Sequence, residues 1–372
     1  MSIESVHLSI GDRIPAFNLP SQTGEVKEIA NFLGKPMIIC FFPSAIRMDC
    51  TTLLSGLQQV QSQYRQFGLK CVAIGPDSVE LHQAIATQYG LTFPILSDGD
   101  RQVSSAYNVT GETNLYGTTS LTSTYTTFIT DRNYRVIKIY PNFDPFTHAQ
   151  QLLTDVKPLL FSEEPRQILQ QAPVLLIPNV LDPELCQQLI ELWHTDNGES
   201  GFMRQVDGKT VALMDNKHKI RRDHFIQPSP LKERIKYLLG SRVTPEIWKA
   251  HHFHATRIED FRIVCYDSSK GGFFRPHRDN TTPGTAHRVF AMTINLNAGE
   301  YEGGCLRFPE YGPHLYRPNT GSAVIFSCSL LHEATDVIGG RRFALLSFLY
   351  GEEEARHRAA YQQATQQSAV SV

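Results

Sequence analysis

"FFRPHRDN" (residues 273–280) places a histidine and an aspartate two positions apart, between aromatic and basic side chains and directly after Gly271-Gly272. Successive side chains of an extended strand alternate faces, so positions i and i+2 point the same way. If this stretch is extended, His277 and Asp279 offer an imidazole nitrogen and a carboxylate oxygen to a common point. Those are two members of the two-histidine, one-carboxylate set that holds non-haem Fe(II). The spacing alone is a weak signal, because the chain repeats it at His194-Thr195-Asp196. That copy closes an apolar run at helical spacing (Leu185, Leu189, Ile190, Leu192, Trp193) just before Asn197-Gly198, and reads as a helix C-terminus. Context, not spacing, separates the two copies.

A metal site of this kind needs a third ligand. "VIFSCSLLHEATDVIGGRRFALLSF" (324–348) offers His332 after a β-rich run, followed by Gly339-Gly340 and then by Arg341 and Arg342. Strand alternation lets only one of the two arginines point inward. Arginine suits a substrate carboxylate because its planar fork binds one bidentately. Three protein ligands leave three octahedral positions, two for a 2-oxo acid and one for dioxygen. Taken singly, His332 reads as a core histidine and Arg342 as a surface charge; their joint order carries the reading.

Around these motifs the chain from about Arg262 onward breaks into short β-rich runs separated by Gly, Asn and Pro. "FRIVCY", "FAMTINL", "CLRFPEY", "SAVIFSC" and "FALLSFLY" have the spacing of a sandwich or jelly roll. The first half is different. "PMIICFF" (36–42) and "LKCVAIG" (69–75) read as buried strands flanking an amphipathic helix over Thr51–Phe67. "YTTFITD" (125–131) and "RVIKIYP" (135–141) follow, and residues 147–160 read as helical. Such alternation predicts a layered α/β domain with a central sheet. The polar stretch from Phe161, with Pro165 and Pro173, marks the boundary. Residues 1–160 are therefore expected to form one domain, 161–172 a linker, 173–352 a second domain and 353–372 a polar, helical C-terminal tail. In the second domain Asp182-Pro183 is a helix N-cap signal.

A length of 372 residues suits two domains, with 41% hydrophobic and 19% charged residues and a net charge of −2. Near-neutral charge gives no support to a basic nucleic-acid or anionic-membrane surface. No apolar run is long enough to span a bilayer, and the start shows no basic-then-apolar secretory pattern. Seven cysteines (40, 50, 71, 186, 265, 305, 328) stand singly with no C-x-x-C pair. That usage suits a reducing, cytoplasmic setting and no disulfide framework or structural zinc site.

Residues 173–350 resemble the prolyl 4-hydroxylase-like branch of the Fe(II)/2-oxoglutarate-dependent dioxygenases. The resemblance is carried by "PVLLIPNVLDPELCQQLI", "YDSSKGGFFRPHRDN", "TINLNAGEYEGGCLRFPEYG" and "RPNTGSAVIFSCSLLHEATDVIGGRRFALLSFLY". It implies a double-stranded β-helix (jelly-roll) with flanking helices, in which His277, Asp279 and His332 ligate Fe(II). Arg342 would pair the distal carboxylate of the cosubstrate 2-oxoglutarate, and Tyr266 would hydrogen-bond the same molecule. It also implies dioxygen, release of succinate and CO2, ascorbate as reductant, and a prolyl-like or amino-acid-like substrate, peptide or small molecule. The intact Asp279 points to hydroxylation, since halogenase members lose that carboxylate.

Residues from about 8 to 160 resemble the peroxiredoxins of the alkyl hydroperoxide reductase/thiol-specific antioxidant family, with a thioredoxin-like fold. The matching pieces are "IGDRIPAFNLPSQTGE", "CFFPSAIRMDCTTLLSGL", "VAIGPDS", "LTFPILSDGDRQVSSAYNV" and "TTFITD". The resemblance implies that Cys50, in the first turn of a helix, is the peroxidatic cysteine and that Pro43 shields it. It also suggests a homodimer through this domain. Two positions depart from the family: its threonine three residues before the cysteine is Arg47, and its arginine two residues before Thr127-Phe128 is Tyr125. Asp49 would oppose a thiolate, and Cys40 and Cys71, in predicted strands, are expected to be buried rather than resolving. The first reading is thus a 2-oxoglutarate-dependent dioxygenase with an accessory peroxiredoxin-like half. The alternative is a one-cysteine thiol peroxidase with an accessory oxygenase-like half.

Overall fold

The computed structural model describes residues 8–115, 118–159, 165–206 and 209–370 and divides into two compact units, Met1–Pro165 and Arg166–Val372. Residues 161–164 of the expected linker and 371–372 of the expected tail lie outside the described residues.

The first unit is organised by β1 (Met37–Phe41), buried at every position, which is why its sequence is apolar throughout rather than alternating. After α1 (Met48–Gln66) come β2 (Lys70–Gly75), α2 (Val79–Tyr89), β3 (Ile95–Ser97), β4 (Thr126–Thr130), β5 (Val136–Pro141) and α3 (His148–Leu159). The sheet order is β3-β2-β1-β4-β5. β1 runs parallel to β2 and antiparallel to β4. Alternation sends Ile38 and Cys40 into a core with Leu53 and Leu57 of α1 and Leu152 and Val156 of α3. Met37, Ile39 and Phe41 enter a second core with Val72, Ile74 and Phe128 on the other face.

The second unit begins with β6 (Leu175–Ile177) and α4 (Pro183–Thr195). As its sequence signals, α4 is capped by the Asp182 carboxylate, which accepts from the Leu185 N–H at 2.7 Å, with Pro183 in the first turn. It ends at His194-Thr195, with Asp196 as C-cap. β7 (Lys219–Ile220), β8 (Arg222–Phe225), α5 (Pro230–Arg242) and α6 (Thr244–His251) follow. The strands that frame the site are then β9 (Arg262–Asp267), β10 (Phe273–His277), β11 (Phe290–Asn295), β12 (Leu306–Arg307), β13 (Ala323–Ser327), β14 (His332–Ala334) and β15 (Val337–Tyr350). One sheet runs β6-β13-β11-β15-β9-β8, and a smaller one β7-β10-β14-β12. The helices cover the outer face of the larger sheet: Leu185, Leu189, Ile235 and Ile247 pack with Ile263, Ile294, Ile325 and Leu345. On its inner face Val264, Tyr266 and Ala344 meet Phe274 and Ala334 of the smaller sheet.

One stretch differs from the sequence reading, and the polar tail forms the helix expected of it. "CLRFPEY" is a strand only at Leu306–Arg307, and Pro309–Tyr311 form a 3-10 turn. Pro309 has no N–H to give a ladder, which ends the pairing. The polar tail is a helix, α7 (Glu352–Val370), whose first residue accepts from the Arg257 guanidinium at 2.9 Å and the Thr256 hydroxyl at 2.8 Å.

Gly321 joins the larger sheet to the start of α4. Its φ is +75°, and a Cβ there would stand 2.0 Å from the Leu181 carbonyl oxygen. Gly321→Ala should therefore cost at least about 1 kcal/mol. Gly240, exposed inside α5 with nothing near its missing Cβ, gives the opposite sign: Gly240→Ala should stabilise by roughly 0.5–1 kcal/mol. Urea unfolding of the two variants, followed by circular dichroism, checks both directions.

Candidate functional site

β10 and β14 pair antiparallel with His277 directly opposite His332. Asp279 lies just past the end of β10, its N–H donating to the Cys328 carbonyl at 3.0 Å. The Asp279 carboxylate is 3.5 Å from His277 Nε2 and 3.3 Å from His332 Nε2. The three donor atoms lie within 4.8 Å of one another, and among the described residues this is the cluster of such groups that could hold a metal ion. In each histidine Nδ1 is 2.8–3.0 Å from a backbone carbonyl, Arg275 for His277 and Leu330 for His332. A carbonyl only accepts, so Nδ1 carries the proton and the Nε2 lone pair faces the centre, the arrangement metal-binding histidines need. Burial pushes the His332 imidazole down to about 4, so it is neutral at physiological pH. Burial also opposes ionisation of Asp279, but the two imidazoles and Arg288 outweigh it and hold that carboxyl well below the usual range. A neutral imidazole at His332 and a carboxylate at Asp279 are the protonation states that a divalent cation requires of them.

These groups open into a cavity of about 1140 Å³ between the sheets, lined also by Tyr266, Thr293 and Arg342. On β15 the two arginines separate as alternation demands. Arg341 is exposed and pairs with Asp267 at 2.8 Å. Arg342 is buried, and its Nε has no hydrogen-bond partner. Its guanidinium lies 5.3 Å over the ring of Tyr266, its cross-strand partner. Gly304, at φ +58°, makes the room: a Cβ there would meet the Arg342 side chain at 3.1 Å. A buried guanidinium nitrogen without an acceptor is costly unless an anion completes it, so the pocket fits a carboxylate at this end. The Tyr266 hydroxyl is 3.3 Å from the Arg221 guanidinium.

The cavity also holds charged groups that the motif reading missed. Arg221 grips Asp223 with two 2.6 Å hydrogen bonds. Lys219, pushed down to about 6 by burial and by Arg221, donates to the Ser200 hydroxyl and the Gly201 carbonyl. Arg262 and Arg288 also line the cavity. A signal existed: Lys219, Arg221 and Asp223 alternate, as residues on one face of an extended chain do.

In the first unit Cys50 occupies the first turn of α1, as expected, but is fully buried. Its Sγ lies 3.0 Å from the hydroxyl of Tyr125, so the residue standing where the family has an arginine touches the thiol. Arg47 and Asp49 form a two-pronged ion pair at 3.1 and 2.7 Å. Burial is the main influence raising the Cys50 thiol above its ordinary value; hydrogen bonds from Tyr125 and the Ser44 backbone oppose it, and Asp49 adds a smaller push upward. Desolvation, more than the neighbouring carboxylate, disfavours the thiolate. Pro43 is half-buried in the loop before α1. Cys40 and Cys71 are buried strand residues, with Cys40 pushed up to about 12 by burial.

The AhpC/TSA family matches residues 10–139, and the 2OG-Fe(II) oxygenase superfamily matches residues 261–350. A relative from Mycobacterium tuberculosis, named as a peroxiredoxin, is 31% identical over 153 residues, 41% of this chain and 98% of that protein. This chain is a fusion of an AhpC/TSA-family peroxiredoxin domain with a 2OG-Fe(II) oxygenase domain. The Escherichia coli peroxiredoxin Bcp is 29% identical to the fusion over 150 residues, 40% of the fusion and 96% of Bcp. Among solved structures, peroxidoxin BcpB from Mycobacterium tuberculosis has a TM-score of 0.37 at 25% identity, covering 41% of the fusion and 98% of that chain. The peroxiredoxin domain has the thioredoxin-like fold of its family, and the oxygenase domain makes the fusion an oxidoreductase of the dioxygenase kind. No helix among the described residues is long and apolar enough to cross a membrane.

The buried thiol yields a prediction. Limiting hydrogen peroxide at pH 7 should convert Cys50 to sulfenic acid slowly, with a rate that climbs as pH rises toward the raised thiol pKa. Tyr125→Phe removes a hydrogen bond that favours the thiolate and should move that profile to still higher pH. Mass-spectrometric trapping of Cys50 across pH measures both; rapid, stoichiometric trapping at neutral pH would establish a working peroxidatic thiol instead.

Proposed function

We propose that the fusion is an Fe(II)- and 2-oxoglutarate-dependent hydroxylase of an amino-acid-like or prolyl-like substrate, acting in the cytosol, with the peroxiredoxin domain accessory. The observation that carries this reading is the convergence of His277, Asp279 and His332, both imidazoles turned by backbone carbonyls so that Nε2 faces the carboxylate. In this reading the two facing sheets are a jelly roll, and the three residues are the iron ligands. Bound Fe(II) and 2-oxoglutarate supply the chemistry by which dioxygen is divided between succinate and a hydroxylated product, with ascorbate as reductant.

The chain's own groups do the rest. Asp279 brings the negative charge that partly neutralises the cation, and the histidines bring neutral nitrogen donors. Arg342 receives the distal carboxylate of 2-oxoglutarate through its planar fork, its Nε being the donor left open. Tyr266 holds the side of that fork. Phe274, Ala334 and Leu346 wall the cavity with apolar surface, which keeps water from the reacting groups and strengthens the charge interactions there.

Anaerobic addition of Fe(II) and 2-oxoglutarate should give a weak visible charge-transfer band that Asp279→Ala abolishes. His277→Ala and His332→Ala should each eliminate succinate formation while leaving the circular dichroism spectrum unchanged, because the domain core is apolar burial away from the ligands. Loss in one variant but not the other would break the triad.

Arg342→Ala should weaken 2-oxoglutarate binding by roughly 2–5 kcal/mol, the cost of leaving a buried carboxylate without its partner. Arg341→Ala removes an exposed pair worth about 0–1 kcal/mol and should leave 2-oxoglutarate affinity within twofold or so of wild type. Titration of 2-oxoglutarate into each protein decides between them, and a reversed order would shift the assignment by one residue.

A further inference from the structure

Three further guanidinium groups line the cavity that Arg342 enters. Arg221 is held by Asp223 through both oxygens. Arg288 is held by Glu259 at 2.7 and 2.9 Å, and the same carboxylate also accepts from His287 at 2.8 Å. Arg262 is left over. Its nearest carboxylate is that same committed Glu259, at 3.9 Å, and its Nε is enclosed without a hydrogen-bond partner. Its guanidinium rests between the rings of Phe225 and Phe348, at 5.1 and 5.7 Å, and it lines the cavity. Burial and the guanidinium of Arg221 push the Arg262 pKa down against the weaker upward pull of Asp223 and Glu259, both of which are already bonded to other arginines.

Its position separates it from Arg342. Tyr266 is the strand partner of Arg342, and Arg262 lies four residues back along β9 on the same face, about 13 Å away at roughly 3.3 Å per residue. Arg262 is also near the metal-ligand cluster, since its neighbour Arg288 donates to the Asp279 carbonyl at 3.4 Å. The cavity of about 1140 Å³ exceeds the roughly 300–1,000 Å³ usual for a single small ligand, which leaves room for a second molecule beside a 2-oxo acid.

We propose that Arg262 is the binding residue for a carboxylate of the primary substrate, a small carboxylic acid that meets the guanidinium from the cavity side while its far end reaches the His277–Asp279–His332 cluster. This rests on the oxygenase reading and narrows its substrate to an anionic small molecule. A single unmatched guanidinium with an open edge and aromatic walls suits one planar carboxylate, which it binds through two parallel N–H donors.

The test is calorimetric titration of the full chain, loaded with redox-inert Mn(II) and 2-oxoglutarate, with a panel of free amino acids and short-chain carboxylic acids, their carboxamides, and acidic peptides. At least one small acid should bind about tenfold or more tighter than its carboxamide. Arg262→Gln should erase that preference and Arg262→Lys should restore part of it, while Mn(II)-dependent binding of 2-oxoglutarate in Arg262→Gln reports an intact cavity. Equal binding of acids and carboxamides, a preference that survives Arg262→Gln, or binding confined to acidic peptides overturns the assignment. Wild-type protein that fails to bind 2-oxoglutarate with Mn(II) overturns the oxygenase reading itself, and the two failures are thereby distinguished.

Discussion

The cross-strand pairing of His277 with His332 is the constraint on which the second domain's chemistry depends. Two residues far apart in sequence share one rung of the smaller sheet, and Asp279 follows from the turn just beyond that rung. Slipping this pairing by one residue would send one imidazole to the other face. The sheets hold the register by burying apolar side chains on both sides: Phe274 and Ala334 on the same two strands face Val264 and Ala344 across the interior. Packing thus fixes where the donors stand, and the donors contribute little to packing.

The cavity also carries an unusual density of buried charge. A buried ion is tolerated when paired and hydrogen-bonded, and most of these are: Arg221 with Asp223, and Arg288 and His287 with Glu259. Burial by itself would raise the Glu259 carboxyl, but His287 and Arg288 outweigh it and hold it at about 2. Against that background Arg342 and Arg262 are informative because their Nε atoms are enclosed without acceptors. A cavity whose other buried arginines are paired, while these two keep an Nε without an acceptor, is shaped around anions that arrive from outside.

Much of this was legible in the sequence where a local pattern dictates a local outcome. Apolar runs such as Met37–Phe41 became strands, Asp182-Pro183 capped a helix, and alternation sent Arg342 inward and Arg341 to solvent. The two H-x-D copies fell on different elements, one ending a strand and the other a helix. What stayed hidden depended on tertiary neighbours. Tyr125 looks like a lost arginine until the fold carries it to 3.0 Å from Cys50. Arg262 reads as an ordinary strand charge until its one candidate partner proves to be occupied. "CLRFPEY" has strand composition, but a proline at its centre takes away the donor that a longer ladder needs.

The carbonyls that orient the two histidines belong in both cases to the residue two positions earlier in the same chain segment, Arg275 for His277 and Leu330 for His332. The ring tautomer is therefore set by main-chain atoms that every amino acid possesses. Side chains at 275 and 330 are free to drift over evolutionary time without disturbing which nitrogen is available. A comparison of related sequences would then show no fixed helper residue beside either histidine, although each has one in three dimensions.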